Sequence, residues 1–222
     1  MTTQELRLTF FGDSICTGQH VAIHQGWVTR TSANLAKLLQ NSHAEVIVTN
    51  SSVNGRTTRQ ALETIGYELQ SHHSELVIVQ FGMNDCNYWQ SDMGLPRVSI
   101  EAFSANLMEI IRRIFHFGAK KVFLNTNHPT LLDQKKFPGT NLSYQQSNSA
   151  YNQVIREVAA ESGAELNDIE RHVNELLVGG KEQLSDYLLP KDHLHLSERG
   201  HEVYYSFVYP RIEKVVLELL QD

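Results

Sequence analysis

The fold is decided by the stretch Leu6–Ser14, which reads LRLTFFGDS. Its first part, Leu6–Phe11, is rich in apolar and aromatic residues, which is typical of a short buried strand. Gly12 ends the run, and Asp13 and Ser14 follow it directly. The stretch therefore predicts a strand that carries a small polar group at its carboxyl end.

The same pattern recurs along the chain and predicts four more strands. They are Val46–Thr49, Leu76–Phe81, Val122–Asn125 and a weaker one near Ala164–Leu166. The segments are short, and the first three of them end in Thr, Phe or Asn with polar or glycine residues beyond, as expected for buried strands. Strands two and three are followed by Asn50–Gly55 and Gly82–Asp85, which are again small and polar.

Helical patterns lie between these strands. Apolar residues repeat at helical spacing in one segment, and two others open with capping boxes. The apolar positions are Ile100, Phe103, Leu107, Ile110, Ile111 and Ile114, and the boxes are Thr57 with Gln60 and Ser143 with Gln146. Further helices are predicted around Glu170–Val178 and from about Ser197 towards Leu220, with Pro210 as a kink or break. The alternation predicts one α/β domain, residues 1–222, with a parallel sheet covered on both faces.

Composition restricts the class of protein. The chain has 222 residues, of which 41% are hydrophobic and 20% charged, and its net charge is −6. This is ordinary globular composition, and the negative charge argues against a nucleic-acid partner. A polar start without a signal peptide, and no apolar run near the ~20 residues that span a bilayer, predict a cytoplasmic protein without membrane insertion. Cys16 and Cys86 fit no disulfide framework or zinc spacing, so reduced thiols are expected.

Ser14 is a candidate nucleophile because it follows a strand directly and would be exposed at the sheet edge. A serine hydroxyl attacks carbonyl carbon only when a base removes its proton and a third group orients that base. Gly-Asp-Ser is also a common turn composition, so the motif alone does not establish catalysis. The elbow pattern G-x-S-x-G is absent, since position 16 is Cys, which disfavours an ordinary α/β-hydrolase.

The segment Asp192–His195 offers a base and its orienting carboxylate within one turn. One alternative is a polar loop that caps the final helix through Asp192 and Ser197. Another is a metal site of Asp192, His193 and His195, but no further ligand pair at a characteristic spacing supports it. The nearby His201 lacks the second histidine of the H-E-x-x-H zinc pattern. We therefore favour catalysis over metal binding.

Gly55 and Asn84 are candidate donors to the oxyanion that forms when an ester carbonyl is attacked. Glycine allows a backbone N–H to be presented without obstruction, and the asparagine amide donates without adding a charge. Each residue taken alone is equally typical of a turn. Their positions after predicted strands, on the same sheet edge as Ser14, favour the functional interpretation.

Taken together and in order, these residues resemble the four signature blocks of the SGNH hydrolases, the GDSL esterase/lipase family. The blocks are Gly12-Asp13-Ser14, Gly55, Gly82-Met83-Asn84-Asp85 and Asp192-x-x-His195. The resemblance implies a flavodoxin-like, three-layer α/β/α sandwich with a five-stranded parallel sheet and no cofactor. Ile15 replaces the leucine of the family's Gly-Asp-Ser-Leu string, a change between similar apolar residues.

The resemblance also implies roles for individual residues. Ser14 would be the nucleophile, His195 the general base and acid, and Asp192 the residue that orients His195. The backbone N–H groups of Ser14 and Gly55, with the Asn84 side chain, would form the oxyanion hole. Two cysteines each lie two residues after a signature residue, so a redox pair across the mouth of the site is an alternative to inert thiols.

Two long connections, Asn87–Arg97 and His128–Asn141, are expected to determine specificity. Tyr88, Trp89 and His128 are predicted to contact substrate, although Trp89 is equally suited to fixing its loop to the core. No extended apolar stretch indicates a long lipid tunnel, which favours small acyl groups such as O-acetyl on a carbohydrate. The alternatives are a thioesterase or lysophospholipase, an acyltransferase with the same triad, and a non-catalytic binding module. No oligomeric state is predicted.

Overall fold

The structure, a computed structural model, describes residues 4–221. It contains five strands: β1 (Gln4–Gly12), β2 (Ala44–Asn50), β3 (Leu76–Gln80), β4 (Lys121–Asn125) and β5 (Glu165–Asn167). All pairings are parallel, in the spatial order β2-β1-β3-β4-β5. This is the strand order of flavodoxin-like sheets, so the predicted five-stranded fold is confirmed.

In the described part of the chain, eight α-helices connect and flank the strands. They are α1 (Ser14–Thr17), α2 (Trp27–Leu39), α3 (Thr58–Glu68), α4 (Ile100–His116), α5 (Tyr144–Ser162), α6 (Ile169–Val178), α7 (Leu184–Tyr187) and α8 (Glu198–Leu219). Helix α2 packs against α8, whereas α4 packs against both α3 and α5. The sheet lies between these two groups of helices, which makes three layers. Both predicted capping boxes are present, at the start of α3 and of α5.

Two details differ from the prediction. Strand β2 is not fully buried, because it forms an edge of the sheet; Ile47, for example, is 37% exposed. Helix α8 runs through Pro210 without a break. Burial of one face of α8 stabilises the helix on both sides of the proline, which removes only one backbone donor.

Burial is most complete at the centre of the sheet. Every residue of β3 is buried, and Phe10 of β1 meets the Trp27 ring edge-on at 5.2 Å between centroids. Trp27 in turn packs on Tyr204 of α8 at 4.6 Å. Within residues 4–221, no helix is both long and apolar enough to cross a membrane. The rigid centre therefore fixes the carboxyl ends of β1 and β3, where Gly12 lies opposite Gln80.

Candidate active site

The candidate site lies at the point where the order of strands reverses. The chain goes from β1 to β2 on one side and then returns to β3 on the other side of β1. Ligands of open α/β sheets bind in the crevice that such a reversal creates at the carboxyl ends of the strands. Ser14 directly follows β1, and Asn84 follows β3.

Ser14 is held in a tight turn between β1 and α1. The Asp13 carboxylate caps α1 by accepting the Ile15 N–H at 3.0 Å, which fixes the backbone on both sides of the serine. Gly12 is required by space: a Cβ there would lie 2.6 Å from the Gln80 carbonyl oxygen and 2.8 Å from the Cys16 sulfur. Ser14 is buried apart from 6% of its surface. The backbone of this turn therefore fixes the position of Ser14.

Ser14, His195 and Asp192 form a continuous line of hydrogen bonds. His195 Nε2 lies 3.0 Å from Ser14 Oγ, although the two residues are 181 positions apart in the chain. The other ring nitrogen, Nδ1, lies 2.9 Å from the Asp192 carboxylate. Since a carboxylate only accepts, Nδ1 carries the proton and Nε2 is left to accept the serine O–H. This is the geometry in which a histidine can remove the proton of a nucleophile.

The segment that carries His195 orders itself around the Asp192 carboxylate. One carboxylate oxygen accepts the backbone N–H groups of Leu194 at 3.0 Å and His195 at 2.9 Å. Partial burial by itself raises the pKa of Asp192, but these two bonds and the contact with the imidazole outweigh it and hold the pKa below its usual value. Asp192 is therefore an anion at neutral pH and can stabilise a protonated His195.

Two buried carboxyl groups lie beneath Ser14 and Asn84. Burial raises the pKa of Asp13 to about 7, although the Ile15 N–H bond opposes the rise. Burial likewise raises the pKa of Asp85 to about 6, against the hydrogen bonds that it accepts from the N–H and hydroxyl of Thr58. Asp13 also accepts a hydrogen bond from the Asn84 amide at 3.3 Å. The pair thus ties the turn of Ser14 to the start of α3 and to the loop after β3.

The two candidate oxyanion donors are linked by an arginine that the sequence did not single out. Arg97 Nη1 donates to the Gly55 carbonyl at 3.1 Å and to the Asn84 side-chain oxygen at 3.3 Å. With the Asn84 oxygen held by Arg97 and one amide N–H given to Asp13, the second N–H of the Asn84 amide is left without a partner among residues 4–221. Gly55 has a φ of 76°, and within residues 4–221 its N–H has no acceptor. The sequence does place Arg97 at the end of the long connection Asn87–Arg97. Which groups its side chain contacts depends on how that connection folds.

The three residues predicted to bind substrate lie in three different environments. Tyr88 stacks on Phe137 at 4.4 Å between centroids and lines a cavity of about 360 Å³. Trp89 is 52% exposed and lies under the Arg97 guanidinium, outside that cavity. His128 is only 1% exposed, and its Nε2 contacts the Leu194 carbonyl at 2.8 Å, so the prediction that it contacts substrate is wrong. The connection His128–Asn141 folds inward at its first residue, so the His128 ring packs under Leu194, next to His195.

The cysteines do not form a pair at the mouth. Cys16 and Cys86 are both buried and free. Burial raises the pKa of each thiol, which keeps the protonated, unreactive form at neutral pH. The expected reduced thiols are therefore what the structure shows, and the alternative of a redox pair across the mouth has no support in it.

A metal site with His193 is not formed. Among residues 4–221, the group whose ligand atoms lie close enough for a shared ion is His20, Asp192 and His195, within 4.8 Å of one another. Asp192 and His195 already use these atoms in the hydrogen bonds to each other and to Ser14. His20 is exposed and meets the His195 ring edge-on at 5.0 Å. The nitrogen and oxygen atoms of Asp192 and His195 are therefore better suited to the hydrogen-bonded chain that ends at Ser14 than to a resident metal.

Known proteins resemble this chain in sequence and in fold. The profile of the "GDSL-like Lipase/Acylhydrolase family" matches residues 10–203. An arylesterase from Vibrio mimicus is 28% identical over 123 residues, which are 55% of this chain and 56% of that protein. The aligned part thus spans little more than half the length of this relative.

Solved structures agree with the fold over nearly the whole chain. Axe2, an acetylxylan esterase from Geobacillus stearothermophilus, superimposes with a TM-score of 0.73 at 20% identity, covering 96% of both chains. The lipase/acylhydrolase from Enterococcus faecalis gives a TM-score of 0.72 at 24% identity, over 94% of this chain and 96% of that one. At these identities the likeness concerns the fold alone. Since the family profile covers most of the sequence, the chain belongs to the GDSL-like lipase/acylhydrolase family.

Proposed function

We propose that this protein is a carboxylic ester hydrolase that forms an acyl-enzyme on Ser14. The observation that carries the proposal is the line of hydrogen bonds from Asp192 through His195 to the Ser14 hydroxyl. A base within 3.0 Å of the serine, itself oriented by an ionised carboxylate, meets the requirements for activating a weak nucleophile. Membership of an acylhydrolase family supports the same reaction class.

The reaction proceeds in two halves. His195 Nε2 takes the proton of Ser14 as the serine oxygen bonds to the ester carbonyl carbon, and the tetrahedral intermediate expels the alcohol, which receives the proton from His195. Water then attacks the acyl carbon while His195 takes one of its protons, and the proton returns to Ser14 as the carboxylic acid leaves. Asp192 stabilises the imidazolium that is present in both halves.

Three donors are assigned to the oxyanion of the tetrahedral intermediate. Ser14 is the first residue of α1, and the first N–H groups of a helix have no partner within the helix. The Gly55 N–H and the second N–H of the Asn84 amide, the one not given to Asp13, are the other two. Removing one such donor typically lowers kcat by about 10²–10³-fold.

The substrate assigned to this site is a small-molecule ester with a short acyl group, such as O-acetyl on a carbohydrate. The cavity of about 360 Å³ whose lining includes Leu194, the residue before His195, has room for a ring-sized group. Two similar proteins are an arylesterase and an acetylxylan esterase, which is consistent with short acyl groups on ring-shaped alcohols. The residues assigned to this site extend from Ser14 to His195, which supports our prediction of one catalytic domain.

The proposal is tested with p-nitrophenyl esters of increasing chain length. We expect wild type to hydrolyse the acetate and butyrate better than the octanoate, and Ser14→Ala to lose about 10⁴-fold or more in kcat/KM. Ser91→Ala, at an exposed serine in the loop after β3, is the matched control and should keep full activity. Phenylmethylsulfonyl fluoride should add one sulfonyl group to wild type and none to Ser14→Ala by mass spectrometry.

The same assay separates the alternatives. Full activity in folded Ser14→Ala would contradict the assignment of the nucleophile. A preference for octanoate would replace the short-acyl substrate by a thioesterase-like or lysophospholipase-like one. Transfer of acetyl to an added sugar in preference to water would make the protein an acyltransferase with the same triad.

A further inference from the structure

The cavity lined by Tyr88 and Phe137 is bounded by segments that continue from both halves of the site. Leu194, the neighbour of His195, forms one side, and Asn87, three residues after Asn84, forms another. The Tyr144 hydroxyl reaches the carbonyl of Met83, which precedes Asn84. A group bound in this cavity would therefore contact the residue before His195 and the loop that follows Asn84.

Most of the cavity wall is apolar and rigid. Tyr88 and Phe137 stack with an angle of 22° between their planes, and the Tyr144 ring meets Phe137 edge-on at 5.9 Å. The Phe137 N–H is bonded to the Leu142 carbonyl at 2.9 Å, which closes this loop on itself. Aromatic faces held in place in this way suit a ring, because they bury its surface without losing side-chain freedom.

Charge at the cavity is of one sign. Lys135 and Lys136 belong to its lining, and within residues 4–221 that lining includes no carboxylate. Four acidic residues lie within two positions of a lining residue, and each accepts a hydrogen bond elsewhere. Asp133 accepts the Ser143 hydroxyl, Asp92 the Ser91 hydroxyl and Asp85 the Thr58 hydroxyl, and Asp192 belongs to the triad. Lys136 also reaches Gln146 at 2.9 Å, which holds its ammonium near the loop. Two cations at an apolar cavity stand out in a chain whose net charge is −6.

We propose that the cavity selects esters whose alcohol part is a ring bearing a carboxylate. The inference rests on the proposed hydrolase function and specifies its substrate class. The ring would lie against Tyr88 and Phe137, and its carboxylate would face the ammonium groups of Lys135 and Lys136. Aryl acids and uronic acids share this chemistry, so the experiment has one arm for each.

The aryl arm compares 4-acetoxybenzoate with 4-acetoxybenzamide, which have nearly the same shape but differ in charge. The measurement is the ratio of kcat/KM for the two esters, in wild type and in Lys135→Gln, Lys136→Gln and the double variant. We expect each single variant to lower the ratio about threefold and the double variant about tenfold, while kcat/KM for the benzamide stays constant. Lys37→Gln, on the exposed face of α2, should leave both values unchanged.

The sugar arm repeats the measurement with O-acetylated galacturonic acid and O-acetylated galactose. A lysine-dependent preference in one arm only assigns the ring to that class, and a preference in both supports the shared chemistry. Added salt should weaken the preference, because the lysines are exposed. A double variant that keeps the wild-type ratio in both arms would overturn the proposal.

Binding without turnover separates this inference from the proposed function. On Ser14→Ala, calorimetry should give tighter binding of 4-hydroxybenzoate than of 4-hydroxybenzamide, and the difference should disappear in the lysine double variant. Equal binding of the two would contradict the anion-selective cavity even if Ser14 proves to be the nucleophile. Ester hydrolysis that does not depend on Ser14 would contradict the proposed function, whatever the lysines do.

Discussion

Two regions of the chain meet in the site and are placed there by different means. One region is formed by the residues at the ends of β1 and β3, and the other is the segment Asp192–His195. Asp13 is fully buried and Ser14 nearly so, in a turn fixed by the end of β1 and the start of α1. The side chains of Asp192 and His195 remain 30% and 17% exposed, at the end of a connection without a strand. One half of the site is placed by the sheet, and the other half by local hydrogen bonds.

The difference shows which contacts each half depends on. The strand-end half is linked by backbone: the Val53 N–H donates to the Gly12 carbonyl at 3.1 Å, which joins the loop after β2 to the end of β1. The other half depends on the Asp192 carboxylate and on His128 beneath Leu194. Both halves therefore combine backbone and side-chain contacts, but the orienting carboxylate of the second half is partly exposed, whereas Asp13 and Asp85 are buried.

The largest effect is expected from Asp192→Asn. The asparagine oxygen can still accept the two backbone N–H groups, but its N–H₂ would face His195 Nδ1 and move the ring proton to Nε2. His195 could then no longer accept the Ser14 proton, and kcat should fall about 10⁴-fold. Steady-state kinetics with p-nitrophenyl acetate measure the loss, and Asp186→Asn, in α7, is the control. A fall of less than tenfold in the folded variant would show that Asp192 is dispensable for orienting His195.

An intermediate effect, on stability and not on chemistry, is expected from His128→Gln. Burial lowers the pKa of His128 to about 4, so the ring is neutral in the folded protein while the unfolded chain gains a proton below about pH 6.5. The free energy of unfolding should therefore fall as pH is lowered from 6.5 to 4, by roughly 2–3 kcal/mol between pH 7 and 4.5 from this residue. The glutamine variant should lose that part of the pH dependence.

Urea unfolding at pH 7 and pH 4.5 tests this expectation, with the exposed His43→Gln as control. The readout is the change in stability between the two pH values, because any loss of packing in the variant is the same at both. Equal pH dependence in wild type and His128→Gln would mean that His128 is not held neutral by the fold.

The smallest effect is expected from Arg97→Ala, which removes the side chain that joins Gly55 and Asn84. The two donors would keep their backbone positions but lose the bond that orients the Asn84 amide, so kcat should fall about tenfold with KM unchanged. Arg113→Ala, an exposed arginine of α4 paired with Glu109, is the matched control. A rise in KM with kcat unchanged would indicate that Arg97 contacts substrate instead of positioning the donors.

Several features of the site were readable in the sequence because they follow from local rules. Strand ends in a parallel sheet meet at one edge, so Ser14 and Asn84 could be placed together from the apolar runs before them. Asp192 and His195 are three residues apart, and their contact is a property of one turn. The bridge from His195 to Ser14 spans 181 positions and was suggested by the order of the sequence blocks, not by any local pattern.

The rest of the site depends on how two long connections fold. His128 and Trp89 are both ring-bearing residues just after a strand or a strand-end block, yet one is buried and the other half exposed. No periodicity distinguishes them, because irregular backbone carries no repeating pattern of burial. The contacts of Arg97 could not be predicted for the same reason. Its bonds to Gly55 and Asn84 form only because the loop returns to the sheet edge.

The alternation of strands and helices, the parallel sheet and the candidate catalytic residues could all be predicted from the amino-acid sequence. These depend on local propensity, on apolar periodicity and on spacing within short motifs. Which side chains meet depends on the packed fold: Ser14 with His195, Arg97 with the two donors, and Lys135 and Lys136 with the aromatic cavity. Such contacts join parts of the chain that are far apart in sequence, and their geometry is fixed by the packing of the whole core.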